Sequence, residues 1–158
     1  MTVLEGVRTR AADAGDVDAV RRCARLAYQP WIDVLGFEPE PLSADYGRLI
    51  ADGVVWVAVL PGYGVVGFLV MLARKDSLLL DNVAVLPAVQ GRGVLRRLFG
   101  LARRHARRLG LDRLELYTNV GMSSNIAIYR RLGFAETDRC VEHGFERVYM
   151  RALVPSSD

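Results

Sequence analysis

The chain has 158 residues, 51% hydrophobic and 25% charged, with 21 Lys+Arg against 18 Asp+Glu and a net charge of +3. That balance fits one soluble globular domain spanning 1–158 and excludes a disordered tail protein, which needs more net charge and fewer apolar residues. Cys23 and Cys140 are too few for a disulfide framework, and with two distant histidines they make a poor metal-ligand set, so no metal and a reducing, cytoplasmic setting are expected.

In chain order, residues 7–10 alternate apolar and polar and predict a short strand. Asp13 or Asp16 can cap a helix to about Ala27, with Val17, Val20, Ala24 and Ala27 along one face. Pro30, Gly36, Pro39 and Pro41 then break 29–52 into loop and short helix. That stretch carries Trp31, Asp33, Glu38, Glu40, Asp45 and Tyr46, which suits the lining of a binding site and equally a solvated connection. Residues 54–60, 65–73 and 78–85 predict a three-strand meander with turns at 61–64 and 75–76. A helix follows over 91–109, stopped by Gly110, with Leu95, Leu98, Ala102, Ala106 and Leu109 facing the sheet. Residues 114–118 predict a strand. Ser123 or Ser124 can cap a helix to Leu132, and 134–140 with 147–153 predict a closing strand pair. The order implies one α/β domain with a mixed sheet.

Several motifs fail their structural test. Gly62, Gly64 and Gly67 have the G-x-G-x-x-G spacing, but the run opens into a strand, whereas a dinucleotide fingerprint must open a helix. No P-loop is present, and Ser123 and Ser124 lack the frame of a nucleophile elbow. His105 and His143 receive no role. Arg103, Arg104, Arg107 and Arg108 read as a solvated helix face. The small net charge and the absence of interleaved aromatics on that helix argue against a nucleic-acid partner. The apolar runs are too short to span a membrane, and no targeting segment stands at 1–10.

The informative stretch runs from Leu80-Asp81-Asn82-Val83-Ala84-Val85 into Gln90-Gly91-Arg92-Gly93-Val94-Leu95-Arg96. A strand ends, a loop turns, and a helix begins on glycines. The first turn of a helix leaves N–H groups without internal partners, and these with the macrodipole favour an anion. Glycines let a diphosphate approach the backbone, and Arg92, Arg96 and Arg97 add positive charge. The same residues also fit an ordinary glycine-rich helix start.

This segment resembles the acetyl-CoA motif of the GNAT acetyltransferase superfamily, Q/R-x-x-G-x-G/A. Gln90 and Gly93 match it, while Leu95 stands where the family usually has Gly or Ala. Asn125 to Phe134, with Tyr129 and Leu132-Gly133-Phe134, is similar to the family's second signature. Met122 stands where the family often has Asn, seven residues before the Tyr, and an Asn occurs at 125.

The resemblance implies a central, mostly antiparallel sheet flanked by helices, with the fourth and fifth strands splayed around pantetheine. It implies an N-acetyltransferase moving the acetyl group of acetyl-CoA, its co-substrate, directly to a primary amine. Val83 and Val85 would bind pantetheine through their backbone, one N–H facing the thioester oxygen. Gln90, Gly91, Arg92, Gly93, Val94, Leu95 and Arg96 would bind the cofactor, the backbone amides of Arg92, Gly93, Leu95 and Arg96 holding the pyrophosphate, and Asn125 would contact the cofactor arm. Tyr129 matches the general-acid Tyr, with a core aromatic as its other reading. Asp81, two residues before Val83 on a regular strand, is the candidate base; Glu115, Asp45, Glu38 and a water chain are alternatives. Asn119 stands where it could orient the acceptor. The acids between Asp33 and Asp45 suggest a cationic acceptor. Exposed edge strands near the C-terminus allow a homodimer. The alternative function is a non-catalytic acyl-CoA-binding or sensor domain of the same fold.

Overall fold

The computed structural model describes residues 4–156. Its strands are β1 (Arg8–Ala11), β2 (Val55–Leu60), β3 (Gly64–Ala73), β4 (Leu78–Val85), β5 (Arg113–Asn119), β6 (Ala135–Glu142) and β7 (Phe145–Leu153). Its helices are α1 (Val17–Leu35), α2 (Tyr46–Ala51), α3 (Val94–Arg108) and α4 (Ser123–Arg131). The strands join in the order β1-β2-β3-β4-β5-β7-β6, mostly antiparallel, with β4 and β5 parallel. The contacts group into two compact units. The first runs to Met71 and takes in Asn82–Leu101; the second takes in Leu72–Asp81 and the chain from Ala102 onward.

In the first unit, β1, β2 and β3 pair antiparallel, with a bulge between Ala58 and Val59. Val20, Cys23 and Ala24 of α1 are buried, as are Val55 and Val57 of β2 and Val66, Phe68 and Val70 of β3. Burial pushes the Cys23 thiol up to about 12, so it behaves as a small apolar side chain. Gly67 has a packing reason. A Cβ there would lie 2.9 Å from the Ala84 carbonyl oxygen, 3.2 Å from Val94 Cγ1 and 3.3 Å from Leu98 Cδ1. The third glycine of the apparent fingerprint is thus a point where β4 and α3 leave no room for a side chain on β3.

Helix α1 is longer than the sequence predicts. It passes through Pro30 and ends at Gly36, whose left-handed φ of 79° lets its N–H return to the Ile32 carbonyl. Pro30 removes the N–H that would reach the Leu26 carbonyl, at a cost of about 3 kcal/mol. The compensation lies in the stripe Ala27, Tyr28, Trp31, Ile32 and Leu35, which is partly buried at helical spacing on both sides of the proline.

The start of α1 is fixed by Asp16, a buried carboxylate. It accepts from Arg10 at 2.6 and 3.0 Å and from the Asp13 N–H at 2.9 Å, while Asp13 accepts from the Gly15 N–H at 2.9 Å. Asp13 and Asp16 form a capping box on the short turn Ala14–Asp16, whereas Asp16, at the cap position of α1, makes no side-chain cap hydrogen bond to that helix. The Arg10 hydrogen bond, outweighing desolvation, holds the Asp16 carboxyl below its ordinary value. The unfolded chain takes up this proton first on acidification. The stabilisation is therefore present above about pH 4 and is lost as the pH falls through the folded value. Asp16→Ala is expected to cost about 1–2 kcal/mol at pH 7, with Arg10's partial exposure limiting the effect, and less at pH 3. Urea unfolding at the two pH values measures this; an equal loss at both would rule out the ionised pair as its source.

In the second unit β5 pairs antiparallel with β7 from Arg113↔Leu153 to Asn119↔Arg147, and β7 pairs with β6. The start of β4 pairs parallel with β5 at Leu78↔Leu114 and Leu79↔Glu115. One sheet face carries the buried Leu114, Leu116, Val148, Met150 and Ala152. The other carries Glu115, Tyr117, Tyr149 and Arg151. Strands β6 and β7 extend beyond the predicted spans into a tight hairpin. His143 and Gly144 are its two turn residues, at φ 51° and 81°, the handedness that matches strand twist. Among the described residues no helix is long and apolar enough to cross a membrane, and no group of three or more His, Cys, Asp or Glu could hold a metal ion.

Candidate active site

Strand β4 ends at Val85, ahead of the glycine loop. Burial alternates from Leu80 to Ala84, with Leu80, Asn82 and Ala84 buried and Asp81 and Val83 partly exposed. Asp81 and Val83 therefore share a face, as the parity argument requires. The backbone alternates too. The Leu86 N–H donates to the Val66 carbonyl at 2.9 Å, and the Ala84 carbonyl lies against Gly67, so residues 84 and 86 turn their backbone groups toward β3. Val83 and Val85 turn theirs to the opposite edge.

Side chains reach both carbonyls on that edge, the single Tyr28 proton being shared between the Val83 carbonyl oxygen and Asn82 Oδ1. Gln90 Nε2 donates to the Val85 carbonyl at 3.1 Å, and the Tyr28 hydroxyl lies 2.9 Å from the Val83 carbonyl oxygen. The same hydroxyl lies 2.9 Å from Asn82 Oδ1. Asn82, only 8% exposed, donates through Nδ2 to the Tyr46 hydroxyl at 2.8 Å, and Tyr46 donates to the Pro41 carbonyl at 2.6 Å. The Tyr46 ring packs edge-on against Phe68, with centroids 5.3 Å apart. Sequence reasoning misses this network because its members lie 36 to 55 residues apart. The only local signal is Asn82, which with Asp81 interrupts an apolar strand run.

After β4 comes a short 3-10 turn, Pro87–Val89. The helix then begins at Val94, three residues later than predicted. Gly91 and Gly93 adopt φ of 76° and 90°, left-handed values that glycine accepts and that a helix does not continue through. The Arg97 N–H closes on the Gly93 carbonyl at 3.2 Å, so the N–H groups of Val94, Leu95 and Arg96 precede the helical ladder. The Arg92 carbonyl accepts from Leu4 N–H at 2.9 Å, which ties down the loop. The face of α3 is also shifted. Val94, Leu98, Phe99, Ala102 and Ala106 are buried, whereas Leu95 is partly exposed and Leu109, beyond the helix, is 46% exposed. Leu98, Ala102 and Ala106 are buried as the periodicity predicts, and Val94 and Phe99 complete the stripe in place of Leu95 and Leu109.

In the second unit, Asp81 Oδ1 accepts from the Tyr117 hydroxyl at 3.1 Å. The Arg147 guanidinium sits 4.5 Å from the Tyr117 ring centroid, and Tyr117 and Tyr149 are 5.7 Å apart. Glu142 accepts from Tyr149, from Cys140 at 3.1 Å and from Arg147 at 3.3 Å. The hydrogen bond from Tyr149 holds Glu142 below its ordinary value, while burial, and after it that same hydrogen bond, push Tyr149 up to about 12.

Tyr129 on α4 is buried, its ring 6.3 Å from Phe134 in an edge-on arrangement. Burial pushes its phenol up to about 12. Neither Ser123 nor Ser124 caps α4; the cap position is Met122, without a side-chain hydrogen bond. Asn125 lies in the first turn, partly exposed, its N–H on the Met122 carbonyl at 3.0 Å. Two alternative bases have other work. Glu115 pairs with Arg151 at 3.0 Å, and Asp45 caps α2 by accepting from the Arg48 N–H at 3.1 Å. Asn119 Oδ1 accepts from the Gly121 N–H at 2.8 Å, so this oxygen serves its own turn.

Residues 20–134 match the family model described as "Acetyltransferase (GNAT) family". The chain is 29% identical over 136 residues to a mycothiol acetyltransferase of Arthrobacter sp. (strain FB24), covering 84% of this chain and 37% of that protein. It is 34% identical over 120 residues to a mycothiol acetyltransferase of Cellulomonas flavigena, covering 73% and 31%. The chain thus spans roughly a third of the length of these curated relatives. Its fold is similar to that of the PaiA N-acetyltransferase from Thermoplasma acidophilum in complex with coenzyme A, with a TM-score of 0.79, 14% identity, and 94% of this chain and 99% of that one covered. With the family pattern matched from α1 to the end of the α4 signature, the chain belongs to the GNAT acetyltransferase family.

Proposed function

We propose that this protein is a cytoplasmic N-acetyltransferase that moves the acetyl group of acetyl-CoA directly to a primary amine. The observation that carries the reading is the run from Val83 to Arg96. An edge of β4 faces away from β3 at Val83 and Val85, and two left-handed glycines then lead into a 15-residue helix. An edge N–H can pair with an amide of an extended ligand, and N–H groups ahead of a helix suit a diphosphate. Acetyl-CoA supplies the activated acyl group when bound.

In this reading the N–H groups of Gly93, Val94, Leu95 and Arg96 hold the pyrophosphate, with Gly91 and Arg92 shaping the loop. Gln90 acts by fixing the Val85 carbonyl. Val83 and Val85 align the pantetheine arm, and a Val83-region N–H stabilises the oxyanion that develops on the thioester. Asn125 contributes from α4. Asp81 takes the proton of the attacking amine, its carboxylate oriented by the Tyr117 hydroxyl, and Tyr129 donates toward the departing thiolate. The exposed acids Asp33, Glu38 and Glu40 favour a cationic acceptor.

A thiol-release assay with acetyl-CoA across polyamines, aminoglycosides, peptide N-termini and lysine tests the reading, and transfer to at least one class is expected. Asp81→Asn should then lower kcat/KM by about 10²-fold near neutrality, with the deficit shrinking at high pH as free amine accumulates. Acetyl-CoA binding without release of CoA for any amine would leave an acyl-CoA sensor instead.

A further inference from the structure

Strand parity builds a polar face on the second unit. With Leu114, Leu116, Val148 and Met150 on the buried side, Glu115, Tyr117 and Asn119 share the other side with Arg147, Tyr149 and Arg151. The register sets Tyr117 opposite Tyr149 and Asn119 opposite Arg147, so Arg147 meets Tyr117 along a diagonal that a long side chain can span. Its guanidinium lies 4.5 Å from the ring centroid. Arg147 is only 9% exposed, and a buried cation needs a counter-charge. Glu142 supplies one at 3.3 Å, and is itself held by Tyr149 and by Cys140 at 3.1 Å. Among the described residues the β4–β5 ladder has the pairs Leu78↔Leu114 and Leu79↔Glu115. Two residues further along each strand the contact passes to side chains, with the Tyr117 hydroxyl donating to Asp81 Oδ1 at 3.1 Å. Glu115 and Glu142 each have an arginine, whereas Asp81 has a neutral phenol on one oxygen. Among the described residues its Oδ2 accepts from no side chain.

We propose that Arg147 is a positioning residue for acetyl transfer: stacked on Tyr117 and anchored by Glu142, it fixes the phenol that holds Asp81 Oδ1 and so leaves Oδ2 to meet the incoming amine. The inference rests on the acetyltransferase reading above, with Asp81 as the base, and adds a residue outside the family's two motifs. A base works only within hydrogen-bond reach of the proton it takes, and a misplacement of about 1 Å can cost about 10²-fold. Stacking restricts rotation of the Tyr117 ring, and through it the orientation of the carboxylate. Because Glu142 matches its charge, Arg147 steers Asp81 without neutralising it.

The test pairs Arg147→Met with Tyr117→Phe, which keeps the ring and removes only the hydroxyl. Glu142→Gln removes the anchor and keeps the guanidinium. Cys140→Ala, which takes another donor from Glu142, is the control. Thiol release gives kcat and the acceptor KM, calorimetry gives acetyl-CoA affinity, and circular dichroism follows folding. Arg147→Met and Tyr117→Phe are each expected to lower kcat about tenfold and to leave acetyl-CoA affinity within about threefold, short of the roughly 10²-fold loss expected on removing the base itself. Glu142→Gln should lower kcat by at least about threefold. The double variant Arg147→Met, Tyr117→Phe should lose no more than about twofold beyond Tyr117→Phe alone, since Arg147 acts through the hydroxyl. Cys140→Ala should stay within about twofold of wild type, a thiol being a weak donor. With no ligand present, the 13Cζ resonance of Tyr117 in ring-labelled protein should move in both Arg147→Met and Asp81→Asn. Unchanged kcat in Tyr117→Phe or Glu142→Gln, additive losses in the double variant, a loss in Cys140→Ala as large as in Glu142→Gln, or a Tyr117 resonance indifferent to Arg147→Met would overturn the proposal. Wild-type protein that releases no CoA with any amine, while the resonance still moves, would instead overturn the acetyltransferase reading and the role of Arg147 with it.

Discussion

Tyr129→Phe should lower kcat by about 10²-fold while acetyl-CoA affinity stays within about threefold, as expected when a donor acts on the leaving group only as charge develops there. The phenol is buried on α4 and raised to about 12 by desolvation. Handing its proton fully to a thiolate whose conjugate acid lies near 8.5 would be uphill by about 5 kcal/mol. Tyr129 therefore works in this reading as a strong hydrogen-bond donor in the transition state, and the proton reaches the thiolate later. A pH consequence follows. Its phenol stays protonated through pH 10, so kcat should rise with the free-amine fraction and then level off. A descending limb near pH 8–9 would assign the acid to another group. Unchanged turnover in the Phe variant would leave Tyr129 as the core aromatic that its packing on Phe134 also describes.

Gly67→Ala should destabilise the protein by about 2–3 kcal/mol, a fall in Tm of about 4–10 °C, although the change adds one methyl to a strand and would ordinarily raise strand propensity. The added Cβ meets backbone at 2.9 Å from the Ala84 oxygen, and α3 closes the remaining space through Val94 and Leu98. A flexible side chain could give way; a carbonyl inside a ladder moves only with its strand. The displaced residue lies between Val83 and Val85, so the variant should also lose acetyl-CoA affinity at temperatures where it remains folded. Thermal melts and calorimetry together test this. Undiminished stability would mean that β3 and β4 have slack at that crossing.

The central strands β2, β3 and β4 are legible because each is a largely apolar run punctuated by Gly, Pro or a charged turn, and that pattern survives folding. Two helices were harder, for opposite reasons. Pro30 is a true local breaker, yet Trp31, Ile32 and Leu35 continue the stripe begun by Ala27 and Tyr28, and their burial outweighs the lost hydrogen bond. Gly91 looked like a first helical residue, yet its φ of 76° makes it part of the preceding turn. The glycine loop is legible as a strand-to-helix turn from Gly91 and Gly93, while its assignment to a pyrophosphate comes from the resemblance and stands as a proposal. The side chains that reach the Val83 and Val85 carbonyls are not legible in this way. Tyr28 reads in sequence as one more residue on a helix, and only its tertiary position brings it to β4. Asp45 and Glu115 illustrate the converse, acids that composition offers as bases and that local geometry uses for a helix cap and an ion pair.

Strand β6 forms the outer border of the sheet, and Ala135 through Arg139 are exposed without a break. Such a border invites a stranger's backbone to add on, the first step of fibril growth. This one answers with an irregularity between Glu136 and Asp138 and with charges at Glu136, Asp138, Arg139 and Glu142. Three carboxylates and one guanidinium thus stand along a single ribbon. Acid strong enough to discharge those carboxylates would remove the guard while leaving Val141 bare.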